Sequence, residues 1–193
     1  AAALATSIQR HAAAAQRKAR RFGYPAPLRP GAYNVLHLRA EADWVEHCKI
    51  WMALADGHHR DNCMNNTMTV HNVLISEGVD PSVPLYISSA LSREELLALE
   101  IDGPLGSQRV GLQPLLDTYT VVTKEDIMDI QPGAVAESRE YFAAVDFLLA
   151  QGASTFIGNS VSTFSAFLLL ARHRRGLESF HYNGGTVPLA ESF

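Results

Sequence analysis

Ser154-Thr-Phe-Ile-Gly158-Asn-Ser160-Val-Ser162-Thr163-Phe164-Ser165 opens as a strand and closes as the start of a helix. Thr155, Phe156 and Ile157 are β-branched or aromatic, which suits a half-buried pleated surface. Gly158-Asn breaks the run. The hydroxyl residues that follow suit a helix start, and the apolar face from about Ser160 to His173 continues it. A strand that turns directly into a helix is the repeating unit of a parallel sheet covered by helices. The exposed amides at such a helix start bind anions, and Ser or Thr side chains add donors. A plainer alternative is that Ser160 or Ser162 only caps the helix. The stretch lacks the second glycine of a G-x-S-x-G nucleophile elbow. It also lacks the glycines and lysine of a P-loop or dinucleotide fingerprint.

Working outward, the same alternation recurs. Ala32-Tyr-Asn-Val-Leu-His-Leu-Arg39, Leu85-Tyr-Ile-Ser88 and Thr118-Tyr-Thr-Val-Val-Thr123 read as three further strands. Helices are expected over Glu41 to about Leu54, Thr67–Ser76, Ser92 to about Glu100, and Ala134–Ala150. Ser92 ahead of Glu94 and Glu95 is a helix-start signal. The fold class expected is therefore α/β, a Rossmann-like parallel sheet with helices on both faces. Residues 1–31 read as an Ala-rich basic helix and a Pro-rich linker, and residues 32–193 as the nucleotide-binding domain. The Gly-rich tail after His173 reads as irregular.

Composition bounds the function. The 193 residues are 47% hydrophobic and 19% charged, which excludes a disordered chain. A net charge of −4 gives no global reason to bind nucleic acid. No apolar run is long enough to span a membrane. Charge is nonetheless uneven: residues 1–40 hold seven basic and no acidic side chains, and the rest hold all 20 acidic ones. Such a start imitates a transit peptide. The site motif at His37 leaves little room for a removable leader, so a solvated helix inside a longer chain is the preferred reading.

Three constellations could carry chemistry. Strand alternation puts His37 and Arg39 on one face, with Arg39 at the carboxyl end of its strand, where a planar guanidinium can grip a phosphate. The alternative is that Arg39 pairs with Glu41, Asp43 or Glu46 and ties the strand to its helix. The Gly158–Ser165 turn is the second constellation. The third is His47, Cys48, His58, His59 and Cys63, whose spacing matches no closed zinc pattern. Cys48 and Cys63 could instead form a disulfide closing a loop of about 15 residues, worth roughly 3 kcal/mol. A disulfide needs an oxidising compartment. The sequon Asn65-Asn66-Thr67, with Asn65 as glycosylation acceptor, is consistent with one.

Three blocks together resemble the GDP-fucose protein O-fucosyltransferases, the EGF-repeat type most closely. They are His37-Leu-Arg39-x-x-x-Asp43-Trp44-x-x-x-Cys48, the Val145-Asp146 pair, and Phe156-Ile-Gly158-Asn-x-Val-Ser162-Thr163-Phe164-Ser165-Ala166-Phe167. The resemblance covers roughly residues 32–170 and implies the C-terminal, donor-binding half of a GT-B glycosyltransferase. It implies an inverting enzyme that passes fucose from GDP-fucose to Ser or Thr hydroxyls of a protein acceptor, without a required cofactor or metal. Arg39 would be the catalytic residue that grips the diphosphate. His37, Asp146, Ser162, Thr163 and Phe164 would contact the nucleotide sugar. The partners implied are GDP-fucose, the protein acceptor and an N-terminal GT-B domain, in the endoplasmic reticulum lumen or secretory pathway. No DxD motif is present, since Asp126-Ile-Met-Asp129 has the wrong spacing. Two other readings stay open: a related transferase using another nucleotide sugar on a glycan, and a nucleotide-binding fragment without catalysis.

Overall fold

In the computed structural model, the described residues are 30–53, 63, 66–103, 106–109, 111–128 and 139–184. The expected N-terminal helix and most of its linker, His58, His59, the sequon residue Asn65 and the last nine residues lie outside them. The elements in chain order are β1 (Asn34–His37), α1 (Ala42–Met52), α2 (Thr67–Ser76), β2 (Leu85–Ser88), α3 (Arg93–Leu97), β3 (Glu100–Gly103), β4 (Gly106–Arg109), α4 (Gln113–Leu116), β5 (Val121–Val122), α5 (Lys124–Ile127), α6 (Arg139–Gln151), β6 (Phe156–Gly158), α7 (Thr163–His173) and β7 (Ser179–His181).

Five strands form one sheet in the order β5-β2-β1-β6-β7, and every pair in it is parallel. Side-chain alternation divides the interior into two cores. Val35, Tyr86, Val122 and Phe156 face Val145 and Leu149 of α6 and Leu168 and Leu169 of α7. Their neighbours Leu36, Ile87, Val121 and Ile157 face Val70 and Leu74 of α2, Leu96 of α3 and Leu115 of α4. Burial on both faces explains why the strands read as nearly continuous apolar runs, as in doubly covered parallel sheets.

The chain moves from β1 outward to β2 and β5, then returns to β6 on the other side of β1 and continues to β7. The order therefore reverses between β1 and β6. In open parallel sheets the loops after two such strands part and leave a crevice. Here those loops carry Leu38–Glu41 and Asn159–Ser162.

Local signals account for the helix starts. Asn66 caps α2 by accepting from the amides of Met68 and Thr69 at 2.9 and 3.4 Å. Ser92 and Glu95 form a reciprocal capping box on α3.

The structure departs from the sequence reading in three places. The helix begun at Ser92 ends at Leu97 instead of about Glu100, because Glu100–Gly103 pairs antiparallel with Gly106–Arg109 in a separate hairpin. Gly111 follows that hairpin at φ 53°, where a β-carbon would collide with the Leu97 carbonyl. The third strand shrinks from Thr118–Thr123 to Val121–Val122. Its first half is taken by the turn closing α4, in which the Tyr119 amide donates to the Leu115 carbonyl at 2.7 Å. Ser179–His181, expected to be irregular, is the edge strand β7.

Candidate functional site

The crevice at the reversal point holds a cleft of about 320 Å³. His37, Arg39, Asp146, Ser162, Thr163 and Phe164, drawn from three separate blocks of sequence, all line it. His37 ends β1 and Arg39 lies just beyond it. Asp146 comes up from α6, and Ser162-Thr163-Phe164 is the start of α7.

Ser162 occupies the N-cap position of α7, yet its side chain accepts no bond from the helix amides. It is 6% exposed. Capping therefore does not use its hydroxyl, which borders the cleft instead. The turn before it is held from elsewhere: the Ser160 amide donates to Asn183 Oδ1 at 2.8 Å and the Val161 amide to Asn159 Oδ1 at 3.0 Å. Those bonds fix the direction in which α7 presents its first amides, which lack partners within the helix.

Arg39 ties to two of its three expected acidic partners, Glu41 and Asp43, while Glu46 pairs with Lys49 instead. Its Nε lies 3.4 Å from Glu41 Oε2, and its Nη2 3.3 Å from Asp43 Oδ2. Its guanidinium carbon sits 4.9 Å from the centre of the Trp44 ring. Nη1 has no partner among the described residues, and the side chain is 24% exposed. Glu41 is itself anchored, because Oε1 accepts the Ala90 amide at 3.1 Å. The Arg39 amide donates to the Tyr182 hydroxyl at 3.2 Å, and Asn159 Nδ2 donates to the same oxygen at 2.8 Å. Tyr182 thus ties the loop after β1 to the loop after β6. The arrangement holds the guanidinium on one edge and one face.

Asp146 is buried at the floor of the cleft. Oδ1 accepts from the Tyr86 hydroxyl at 2.5 Å, and Oδ2 from Ser88 Oγ at 3.1 Å and Lys124 Nζ at 3.0 Å. Lys124 also donates to the Ser89 carbonyl. Burial raises the Asp146 carboxyl above its usual range, against the opposing pull of Lys124 and the hydrogen bonds. The sequence reading missed Tyr86, Ser88, Ser89 and Lys124. Ser88 ends an expected strand, so its place at the sheet's carboxyl edge was readable. Lys124 sits in Thr123-Lys124-Glu125-Asp126, which reads as a polar helix start, and nothing there marks the lysine as buried.

His37 is 8% exposed. Burial, then the charges of Arg39 and Lys124, push its pKa down to about 3. At neutral pH the ring is uncharged. The linkage follows: the unfolded histidine takes up a proton near pH 6.5 and the folded one does not until about 3. Its contribution to stability is present above pH 6.5 and lost as the pH falls towards 3. Between pH 6 and 4 the stability of the wild type relative to His37→Gln is expected to fall by up to about 1.4 kcal/mol per pH unit. Urea unfolding of both proteins at several pH values measures this, and parallel pH curves would contradict it.

Cys48, on α1, and Cys63 are joined in a disulfide, with α-carbons 5.5 Å apart. The cysteine ligands of a zinc site are thereby engaged with each other. Among the described residues there is no group of three or more His, Cys, Asp or Glu side chains able to hold a metal ion. Among them, too, no helix is long and apolar enough to cross a membrane.

The fold has relatives among solved structures. A crystal structure of POFUT1 in complex with GDP aligns with TM-score 0.55 and 16% identity, over 91% of this chain and 46% of that one. The POFUT1 apo-form aligns with TM-score 0.51 and 16% identity, over 89% and 46%. The chain spans less than half the length of the POFUT1 chains it matches. At this identity the likeness is one of fold. No protein-family model and no curated protein sequence matches the chain.

Proposed function

We propose that this chain is the nucleotide-sugar-binding half of a GT-B fucosyltransferase that uses GDP-fucose and a Ser or Thr hydroxyl of a protein, such as one in an EGF-like repeat. The observation that carries the reading is the meeting of Arg39 and the Ser162-Thr163-Phe164 helix start at one cleft, at the point where strand order reverses. The three blocks of sequence that resemble the O-fucosyltransferases are the ones that meet there. The fold shared with POFUT1, one of whose structures holds GDP, is consistent with it.

In this reading the bond between the sugar's C1 and the diphosphate oxygen breaks while a bond from the acceptor oxygen to C1 forms on the opposite face, with inversion. GDP departs with the bonding electrons, and the proton of the acceptor hydroxyl passes to solvent or to the departing diphosphate. Negative charge grows on the diphosphate. Arg39, the hydroxyls of Ser162 and Thr163, and the first amides of α7 are prepositioned donors for that charge. Phe164 and Asp146 shape the nucleoside end. Residues 32–193 are the donor domain, residues 1–31 connect it to an N-terminal GT-B domain, and that domain completes the acceptor side. The Cys48–Cys63 bond favours the endoplasmic reticulum lumen or another secretory compartment. Asn65 would be a glycosylation acceptor there.

Calorimetry on this chain tests the donor. GDP and GDP-fucose are expected to bind at least about tenfold more tightly than UDP or ADP, a difference of about 1.4 kcal/mol. Equal or tighter binding of a UDP-sugar would discard fucose and favour the related transferase.

A further inference from the structure

We propose that Ser165 is a positioning residue that fixes His37 in the Nε2–H tautomer, so that the ring meets the cleft as a hydrogen-bond donor. Ser165 Oγ lies 2.9 Å from His37 Nδ1 and also accepts the Asn159 amide at 3.1 Å. A serine hydroxyl has one proton and two lone pairs. If Nδ1 carried the ring proton, it and the Asn159 amide would fill both lone pairs. The serine proton would then need an acceptor, and Ser165 has no other partner among the described residues. With Ser165 1% exposed, water does not supply one readily. The assignment that satisfies every group has Ser165 donating to Nδ1, which leaves the proton on Nε2.

The surroundings are built for this contact. A β-carbon on Gly158 would come within 2.8 Å of Ser165 Oγ and 2.9 Å of the Phe156 ring, so only glycine lets α7 approach the end of β6 this closely. On the other side the Phe164 ring lies 4.5 Å from the His37 ring, centre to centre, and tilted 46° to it. Gly158, Asn159, Phe164 and Ser165 thus act as one frame around His37. With Nδ1 used, Nε2–H is the polar atom left for the cleft. It suits an acceptor-rich ligand, a phosphoryl or ribose oxygen. That last assignment rests on the nucleotide reading above; the tautomer does not.

Long-range proton–nitrogen NMR of the full chain labelled in its histidines tests the proposal at pH 7, with the His37 signals identified by their loss in His37→Gln. The expected result is a protonated, pyrrole-type Nε2 and an unprotonated Nδ1. Ser165→Ala is expected to mix the tautomers and weaken GDP binding by about tenfold, the worth of one hydrogen bond to a charged group. His37→Gln, whose amide NH₂ can stand where Nε2–H stands, should retain part of the GDP affinity that His37→Asn loses. His37→Asn, which cannot reach that position, should lose about tenfold. A wild-type ring protonated at Nδ1, or an unchanged tautomer in folded Ser165→Ala, overturns the proposal. If Ser165→Ala does not fold, the wild-type spectrum and the Gln/Asn contrast decide. A wild type that shows the Nε2–H tautomer but does not bind GDP sinks the nucleotide reading and leaves the positioning role standing.

Discussion

Arg172→Met is expected to destabilise the protein by about 3–5 kcal/mol, which in a domain of this size lowers the melting temperature by roughly 10 °C. The Arg172 side chain is fully buried, and all of its donor nitrogens are used. Nε donates to Ser179 Oγ at 3.0 Å. Nη1 donates to the Ala150 and Ala153 carbonyls at 2.7 and 2.9 Å, and Nη2 to the Ser154 and Glu178 carbonyls at 3.0 and 2.7 Å. No carboxylate is among these partners. Burial lowers its pKa to about 10, which still leaves it charged at neutral pH. The charge is balanced by carbonyl dipoles, several of them at the C-terminal end of α6, where a cation is favoured. Methionine fills similar volume but takes a donor from four carbonyls: those of Ala150 and Glu178 keep the Ala153 and Phe156 amides, each at 3.3 Å, while those of Ala153 and Ser154 lose their donors. A buried carbonyl without a partner costs about 1–3 kcal/mol, and these costs are not fully additive. Arg172→Lys keeps the charge with three donors instead of five, and should fall between the two. Urea unfolding measures the effect. A Met variant within about 1 kcal/mol of wild type would show that the carbonyls find other partners.

The consequence reaches the cleft. Arg172 joins the end of α6, the entry to β6 and the start of β7. β7 leads into Tyr182 and Asn183, which hold the Arg39 amide and the Ser160 amide. A loosened β7 therefore loosens both loops that form the site, although Arg172 itself does not line the cleft.

Arg172 also shows where sequence reading stops. In Arg172-His173-Arg174-Arg175 it looks like the basic, solvated end of a helix, a pattern the helix dipole favours anyway. Its burial depends on carbonyls from three segments converging, which no local pattern records. The edge strand β7 was hidden for a similar reason, since a strand of three residues carries almost no periodicity. The β3–β4 hairpin was hidden behind an expected helix end. By contrast, Leu85-Tyr-Ile-Ser88 was legible because three apolar residues run together between Pro84 and a stretch of serines, and a strand buried on both faces reads that way. The outer wall of the site was legible because its residues fall at the ends of strands, where the fold class itself places ligands. Of its floor only Asp146 was named, through the resemblance: Tyr86 reads as an ordinary strand residue, and its bond to Asp146 spans 60 positions of sequence.

Arg39→Ala is expected to leave the melting temperature within about 2 °C of wild type while weakening GDP binding by about 10- to 100-fold, the loss of charge-assisted hydrogen bonds worth about 1.5–3 kcal/mol. In the fucosyltransferase proposed here, transfer should fall by at least about 10²–10³, because the donor lost is aimed at charge that develops as the sugar leaves. The ties to Glu41 and Asp43 make the opposite outcome a serious competitor. If their function is to fasten β1 to α1, removing the guanidinium should lower the melting temperature and leave turnover per folded molecule near normal. Geometry favours the first outcome. The Asp43 carboxylate is 60% exposed, and an exposed ion pair is worth at most about 1 kcal/mol. The strand is already joined to the loop after β6 through the Arg39 backbone amide, a bond that Ala retains. Glu41 is the better-placed partner, and its own anchor on the Ala90 amide survives the substitution. The same contacts read more coherently as a cradle for the guanidinium: Glu41 on Nε, Trp44 against its face, Asp43 on one Nη2 position, and Nη1 left for an anion. Arg39→Lys separates charge from shape. An ammonium restores the charge but not the planar fork, so it should recover little of the binding or transfer. Normal turnover in a mutant that melts early would make Arg39 a fastener of the fold and remove the central donor from the mechanism.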